Sequence, residues 1–240
     1  MAVQKGLLFL VAGGAFAAAT RGPDPLLRLV IQRTGVQRPR IAYIGAASRD
    51  DPDVRKGNAA LLRKAGAGSV TLAPLAGRRI SAPAATRIVE SSDLVFLSGG
   101  DVQVGMDVLK ERRMVPFLRR VFRTGTPFLG VSAGSIMLSR AWVRWRSPDD
   151  DEGAETFPCL GLARICCDTH GEKDGWGELK AMLSLRPIGT AGYGIVSGSA
   201  LVVEPDGSLS ALGGEVHVFK KRNAGIVQVG SLVAGPLPGA

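Results

Sequence analysis

Short apolar runs alternate with amphipathic stretches through the first half of the chain. The runs have the length of buried parallel strands, and we predict strands at residues 6–12, 40–45, 69–73 and 93–97. The stretches between them have the capping residues and leucine spacing of helices. We predict one helix from Pro23-Asp-Pro25, one over residues 58–65, and one capped by Ser81 that ends near Glu90. These alternations predict a parallel sheet with helices on both faces.

The first apolar run also has the composition of a secretory signal peptide, since Lys5 precedes it and residues 16–19 are apolar. We favour the strand, because the positive charge is a single lysine and Gly13-Gly14 interrupts the run as a turn would. No other stretch is long enough to cross a bilayer, so we expect no membrane partner.

The second half of the chain has the short alternating runs of antiparallel strands. We predict strands at residues 142–146 and 161–167, a helix over residues 178–185, and antiparallel strands in the tail from Tyr193, at residues 200–204, 209–212 and 215–219. Residues 147–152 read as an acidic loop. Because no linker divides the chain, we expect residues 1–240 to form one α/β domain.

A Gly-x-Ser-x-Gly sequence, Gly130-Val-Ser-Ala-Gly134, stands between an apolar run and the start of a helix at residues 135–138. This is the pattern of a nucleophile elbow, in which a sharp turn raises the serine hydroxyl above the sheet edge. Ser132 is therefore the candidate nucleophile, and the Ala133 N–H is a candidate oxyanion donor. A small-residue turn that only packs a helix against a sheet would have the same letters.

The predicted strand at residues 93–97 ends in a second glycine-rich turn, Ser98-Gly-Gly-Asp-Val-Gln103. Paired glycines let a backbone approach a substrate closely, so the Gly100 N–H is the candidate second oxyanion donor. Gly99, Asp101 and Gln103 are candidate substrate contacts. In the alternative reading, this is an ordinary turn in which Asp101 caps the next helix.

A serine nucleophile needs a base, and the chain has only two histidines. His217 lies in the predicted terminal hairpin and reads as structural. His170 follows a predicted strand whose carboxyl end we expect at the same edge as Ser132, so it is the candidate base. Its neighbours Asp168 and Thr169 are candidate substrate contacts.

The acid that orients the base is expected at Asp149 or Asp150, within a run of acids between the serine and the histidine. The other members of that run, residues 151, 152 and 155, and Asp168 remain alternatives.

Composition narrows the function classes further. The chain has 30 Lys and Arg residues and 21 Asp and Glu residues, which gives a net charge of +9. Because no aromatic residues interleave with the basic groups, specific nucleic-acid binding is not expected. The three cysteines, Cys159, Cys166 and Cys167, have no metal-ligand spacing and are poorly placed for a disulfide. We therefore expect a reducing, cytoplasmic compartment, structural thiols and no metal.

The ordered set of motifs resembles the dipeptidase E and cyanophycinase family of serine peptidases. The set comprises Leu10-Val-Ala-Gly-Gly14, residues 41–48, Gly99-Gly-Asp101, the Gly130–Gly134 elbow, Leu160-Gly-Leu162 with Asp168-Thr-His170, and Gly194-Ile195 before residues 199–203. The resemblance implies a class I glutamine-amidotransferase-like fold in which serine replaces the usual cysteine. It also implies a cofactor-free Ser-His-acid mechanism on aspartyl peptides or β-linked aspartyl-arginine units.

Two segments depart from that family. Its cyanophycinases have arginines shortly after the histidine, suited to gripping carboxylates, whereas residues 171–178 here supply acids and a tryptophan. The family's Gly-Ile-Asp-Glu stretch reads Gly194-Ile-Val-Ser197. From the charge alone, a cationic or aromatic group would fit the altered wall better.

We therefore predict a cytoplasmic serine hydrolase that acts as a dipeptidase or exopeptidase on small peptides, with homodimer formation left open. The alternatives are an esterase of the α/β-hydrolase type, which shares the elbow, and a binding or sensor domain on the same scaffold without catalysis.

Overall fold

The computed structural model describes residues 6–13, 22–76, 81–146 and 153–235. Its helices are α1 Pro25–Gln32, α2 Pro52–Lys64, α3 Ala82–Glu90, α4 Val102–Glu111, α5 Met114–Arg123, α6 Ala133–Leu138 and α7 Gly177–Ser184. Its strands are β1 Leu8–Val11, β2 Arg40–Ile44, β3 Ser69–Leu72, β4 Leu94–Leu97, β5 Phe128–Val131, β6 Ala141–Trp145, β7 Ala154–Pro158, β8 Cys166–Thr169, β9 Ala191–Ile195, β10 Ala200–Val203, β11 Leu209–Leu212, β12 Glu215–Arg222 and β13 Gly225–Val233.

A seven-stranded sheet in the order β11-β10-β1-β5-β4-β2-β3 forms the centre of the molecule. The five strands from β1 to β3 in that order are mutually parallel, and β10 and β11 add to the β1 edge as antiparallel strands. The predicted parallel sheet with antiparallel strands from the tail is therefore confirmed. The first apolar run is strand β1, within this sheet.

Helices cover both faces of the sheet, because its buried strands are apolar at every position. In β1, Leu8 and Leu10 belong to the core on one face, while Phe9 and Val11 belong to the core on the other. The first core is completed by α3, α4, α5 and α6, and the second by α1 and α2. The result is a three-layer sandwich.

A smaller sheet in the order β13-β12-β9-β8 lies beyond the elbow helix α6. The prediction of a strand over residues 161–167 is wrong: the strand begins at Cys166 and includes Thr169. It is also not part of the main sheet, so His170 does not share a sheet edge with Ser132 as predicted. The sheets meet instead through packing of β8 on α6, where Cys167 Sγ contacts the Ser135 carbonyl oxygen at 3.8 Å.

Capping residues fix where the helices begin. Ser81 caps α3 as predicted. Asp51 caps α2, which begins at Pro52, six residues before the predicted start at residue 58. Asp101 caps α4, since its Oδ1 accepts the Val104 N–H at 2.8 Å. Within the described ranges, no helix has both the length and the apolar character needed to cross a membrane.

Candidate active site

Ser132 sits at the sharp turn between β5 and α6. Its φ of 53° and ψ of −124° lie outside the favoured regions for a non-glycine residue, as a nucleophile elbow requires. The turn is fixed because the Ser132 N–H donates to the Val11 carbonyl at 2.9 Å and the Ser135 N–H donates to the Ser132 carbonyl at 2.8 Å. The hydroxyl is therefore presented from a backbone whose strain is held by neighbouring strands.

The two glycines of the elbow are required by close packing. A Cβ at Gly134 would lie 2.3 Å from the Leu97 carbonyl oxygen, and one at Gly130 would lie 2.6 Å from backbone atoms of Gly134 and Ser135. Real Cβ atoms essentially never approach backbone atoms so closely. The glycines thus allow α6 to begin directly against β4 and β5.

His170 faces the serine from the end of β8. Its Nε2 lies 2.9 Å from Ser132 Oγ, within hydrogen-bond distance, so Nε2 accepts the hydroxyl proton when the ring proton is on Nδ1. The imidazole comes from a residue with φ of 46°, and its backbone N–H donates to the Ile195 carbonyl at 3.0 Å. Strand β9 therefore positions the base that reaches across to the elbow.

The turn after His170 is also tightly held. The Trp176 N–H donates to the Gly171 carbonyl at 2.9 Å, and the Trp176 ring packs so closely on Gly194 that a Cβ there would lie 2.8 Å from it. The buried indole thus forms the floor under the residues that follow the base. Gly171, Asp174 and Glu178 of this segment line the cavity beside the base.

A cavity of about 230 Å³ opens at the serine and the histidine. Its lining includes the predicted residues Gly100, Asp101, Ser132, Ala133, Asp168, Thr169 and His170, together with Gly171, Asp174, Glu178 and Trp142. Gly99 packs against the nucleophile: a Cβ at that position would be 3.2 Å from Ser132 Cβ. Gln103 is exposed on α4 and is not among the residues that line the cavity, so its role as a substrate contact stays a prediction.

The N–H groups predicted to hold an oxyanion are available for that role. Among the described residues, neither the Gly100 nor the Ala133 N–H donates to a backbone or side-chain acceptor. Gly100 has φ of 144°, and a Cβ there would lie 2.2 Å from the Ala47 carbonyl oxygen, so the turn admits only glycine. The predicted donors thus both border the cavity that contains Ser132 Oγ.

Sequence reasoning missed one acidic residue, Glu172. Its Oε1 accepts the Ser197 N–H. Burial opposes ionisation of this carboxyl, but hydrogen bonds from Ser197 and from the backbone N–H of Glu172 itself, with a smaller contribution from the positive field of His170, hold its pKa below the ordinary value. The His-x-Glu spacing was the available signal, although only the pairing of β8 with β9 brings Ser197 beside it.

Of the acids predicted to orient the base, some fall outside the described residues and Glu155 is engaged in other ion pairs. Asp149 and Asp150 are outside the described residues, so that prediction stays open. Glu155 forms ion pairs with Arg144 and Arg146 in the β6–β7 hairpin. The second histidine, His217, is structural in position, since its Nδ1 lies 3.0 Å from Ser231 Oγ on the neighbouring strand.

Burial raises the pKa of Asp168 to about 7. Its Oδ1 accepts the Thr169 N–H at 2.7 Å, which acts against the rise, while the negative charges of Glu178 and Asp174 add to it. The residue is 7% exposed. A charge that is poorly solvated and repelled by two neighbours thus lies within the cavity.

The cysteines do not take part in this arrangement. All three are buried, and burial raises the pKa of each thiol, to about 12 for Cys159. A thiol must ionise to act as a nucleophile, so Ser132 is the nucleophile that the site offers.

A serine raised on a strand–turn–helix elbow of a three-layer α/β sandwich, with a histidine within hydrogen-bond distance of its hydroxyl, defines a serine hydrolase. The comparisons with known proteins narrow this class. The model of peptidase family S51 matches residues 8–210. The chain therefore belongs to peptidase family S51, the dipeptidase E and cyanophycinase family, and is a serine-type peptidase.

Solved structures show the same fold. A peptidase from an acI-B1 actinobacterium superposes with a TM-score of 0.72 at 19% identity, over 98% of this chain and 97% of that one. A candidate peptidase E protein from Listeria monocytogenes EGD-e superposes with a TM-score of 0.63 at 14% identity, over 86% of this chain and 98% of that one. No curated protein sequence matches the chain significantly.

Proposed function

We propose that the protein hydrolyses small peptides, as a dipeptidase or exopeptidase, with Ser132 as nucleophile and His170 as general base. The observation that carries the proposal is the 2.9 Å separation of Ser132 Oγ and His170 Nε2 at the mouth of a cavity. That separation also argues against a sensor domain without catalysis, which has no need of a serine on a strained backbone within hydrogen-bond reach of a base. The cavity, at about 230 Å³, is below the usual size range of about 300–1,000 Å³, which suits a short substrate.

In this mechanism, Ser132 Oγ attacks the peptide carbonyl carbon as His170 Nε2 takes the hydroxyl proton. The carbonyl oxygen becomes an oxyanion held by the Gly100 and Ala133 N–H groups. Collapse of the tetrahedral intermediate breaks the C–N bond, and the imidazolium returns its proton to the departing amine. Water then attacks the acyl-enzyme with the same base, and the released Ser132 recovers its proton from the imidazolium.

Within this proposal, Glu172 is a positioning residue for His170. Its carboxylate follows the base by two residues and is anchored at the Ser197 amide, so its negative charge stabilises the imidazolium that forms during attack. Asp149 and Asp150 are the alternative partners predicted from the sequence, and substitution distinguishes them.

The test compares Ser132→Ala, Glu172→Gln, Glu172→Asp and the double variant Asp149→Asn/Asp150→Asn on a dipeptide panel. Ser132→Ala should abolish hydrolysis. Glu172→Gln should lower kcat/KM by about ten- to a hundredfold, less than the roughly 10⁴-fold loss seen when the buried acid of a complete triad is neutralised.

Because the carboxylate stabilises the imidazolium, Glu172→Asp, which keeps the carboxylate, should recover part of the loss. Full activity in Glu172→Gln with a large loss in the double variant would return the role to Asp149 or Asp150. Full activity in Ser132→Ala would refute the proposed function.

A further inference from the structure

Four carboxylates converge on the cavity beside the nucleophile. Asp101 comes from the β4–α4 turn, Asp168 from β8, and Asp174 and Glu178 from the segment after His170. The described residues that line it include no Lys or Arg, although the chain carries a net charge of +9. The cavity is thus an acidic site in a basic protein.

None of these charges is neutralised by a cation in the described part of the chain. Asp101 Oδ1 accepts the Val104 N–H, and Asp174 Oδ1 accepts the Trp176 N–H at 3.0 Å. Glu178 Oε2 accepts the Trp142 indole N–H at 2.8 Å. All of these donors are neutral, so they orient the carboxylates without cancelling their charge.

Asp168 is the most deeply buried of the four carboxylates. It is more than nine-tenths buried, lines the cavity, and forms no ion pair with a described residue. Its Oδ2 and the Oδ1 of Asp174 both lie within 3.3 Å of the point that a Cβ on Gly171 would occupy, so the two carboxylates approach each other directly after the base. A buried carboxylate beside like charges is stabilised either by holding a proton or by a cation that binds next to it.

We propose that this cavity binds a positively charged nitrogen of the substrate, an ammonium or a guanidinium, within about one residue of the bond that Ser132 cleaves. The inference rests on the proposed function and adds the charge of the substrate to it. A nitrogen cation offers several N–H donors in different directions and can serve carboxylates that arrive from three segments. The described His, Cys, Asp and Glu side chains include no group of three placed to hold one metal ion, so the donor geometry favours an organic cation.

The cation has two sources, a basic side chain or the free α-ammonium of the peptide. Both present the same chemistry to the cavity, and a substrate panel separates them. Arg-Ala and Ala-Arg are each compared with the citrulline peptide, which keeps the shape of arginine without the charge. Acetyl-Arg-Ala is compared with Arg-Ala to remove the α-ammonium alone.

The panel is measured with the wild type, Asp174→Asn, Glu178→Gln and Glu111→Gln. The first two substitutions keep an acceptor oxygen for the Trp176 and Trp142 donors while removing one charge each. Glu111 is an exposed acid at the end of α4, away from the cavity, and its variant controls for the loss of a negative charge from the protein.

We expect kcat/KM to favour arginine over citrulline by about tenfold or more at one of the two positions, as a charged hydrogen bond provides. Asp174→Asn and Glu178→Gln should lower that ratio severalfold, and Glu111→Gln should leave it unchanged. Equal rates for arginine and citrulline with a large loss on acetylation would assign the cation to the α-ammonium. No effect of either charge, or a preference for aspartate, would overturn the inference.

A binding measurement keeps this inference separate from the proposed function. Agmatine, a decarboxylated arginine, is titrated calorimetrically into Ser132→Ala and into Ser132→Ala/Asp174→Asn, neither of which needs to turn over. Weaker binding to the double variant supports the acidic site whatever the hydrolysis results. If hydrolysis depends on Ser132 but the two variants bind agmatine equally or not at all, the proposed peptidase function stands and the proposed cation site is refuted.

Discussion

Replacing Asp168 by asparagine should stabilise the protein relative to the wild type as pH rises from 5 to 8. Burial, with the charges of Glu178 and Asp174, raises the pKa of this carboxyl from 3.8 to about 7. Between these values the folded protein holds a proton that the unfolded chain has lost. The wild type therefore loses stability with increasing pH across this interval, whereas an asparagine stays neutral throughout.

The magnitude follows from the size of the shift. One unit of pKa difference corresponds to about 1.4 kcal/mol, so ionised Asp168 costs the folded state about 4 kcal/mol in total. About 3 kcal/mol of this cost develops between pH 5 and pH 8. The remainder develops between the unfolded pKa of 3.8 and pH 5, so it is already present at pH 5. Asparagine keeps an oxygen that can accept the Thr169 N–H but loses an acceptor for the Leu179 N–H, and comparing the change between two pH values separates this cost from the effect of charge.

Urea denaturation of the wild type and Asp168→Asn at pH 5 and pH 8 measures this directly. Glu111→Gln serves as the control for charge alone. We expect the free energy of unfolding of Asp168→Asn to gain on the wild type by about 3 kcal/mol over this range. An equal difference at both pH values, or a variant that falls further behind at pH 8, would refute the account of Asp168 and its neighbours.

Other consequences concern packing and thiol chemistry. In thermal melts, Gly134→Ala should destabilise the protein by at least about 2 kcal/mol, because its Cβ would meet the Leu97 carbonyl. The control Gly57→Ala, in an open position on α2, should be neutral or slightly stabilising. Iodoacetamide should leave peptidase activity intact and alkylate the three buried cysteines only after unfolding. Rapid inactivation that maps to Cys166 or Cys167 would contradict the assignment of the nucleophile.

Elements whose residues are adjacent in the chain could be predicted from the sequence. The apolar runs of β1, β2, β4 and β5 are buried on both faces, so they were recognisable without knowledge of their neighbours. The elbow at Ser132 was predicted for the same reason, since its glycines and its turn are adjacent in the chain. The comparisons confirm the family that these motifs indicated.

The remaining features depend on pairing between distant segments. Strand β8 was placed too early because the apolar letters of residues 161–165 resemble a strand, and its membership in a second sheet depends on pairing with β9. Glu172 was missed because the amide that anchors it is 25 residues away. Helix α5 was omitted although Met114, Leu118, Val121 and Phe122 mark one buried face, a signal that the prediction should have used.

The central claim is that the Ser132 hydroxyl, activated by His170, is the nucleophile. The most direct measurement is mass spectrometry of the native protein after exposure to a fluorophosphonate, with peptide mapping of the adduct. We expect a single adduct on Ser132, formed much more slowly in His170→Gln and not formed after unfolding in urea. An adduct at another serine, or none on an active enzyme, would contradict the mechanism.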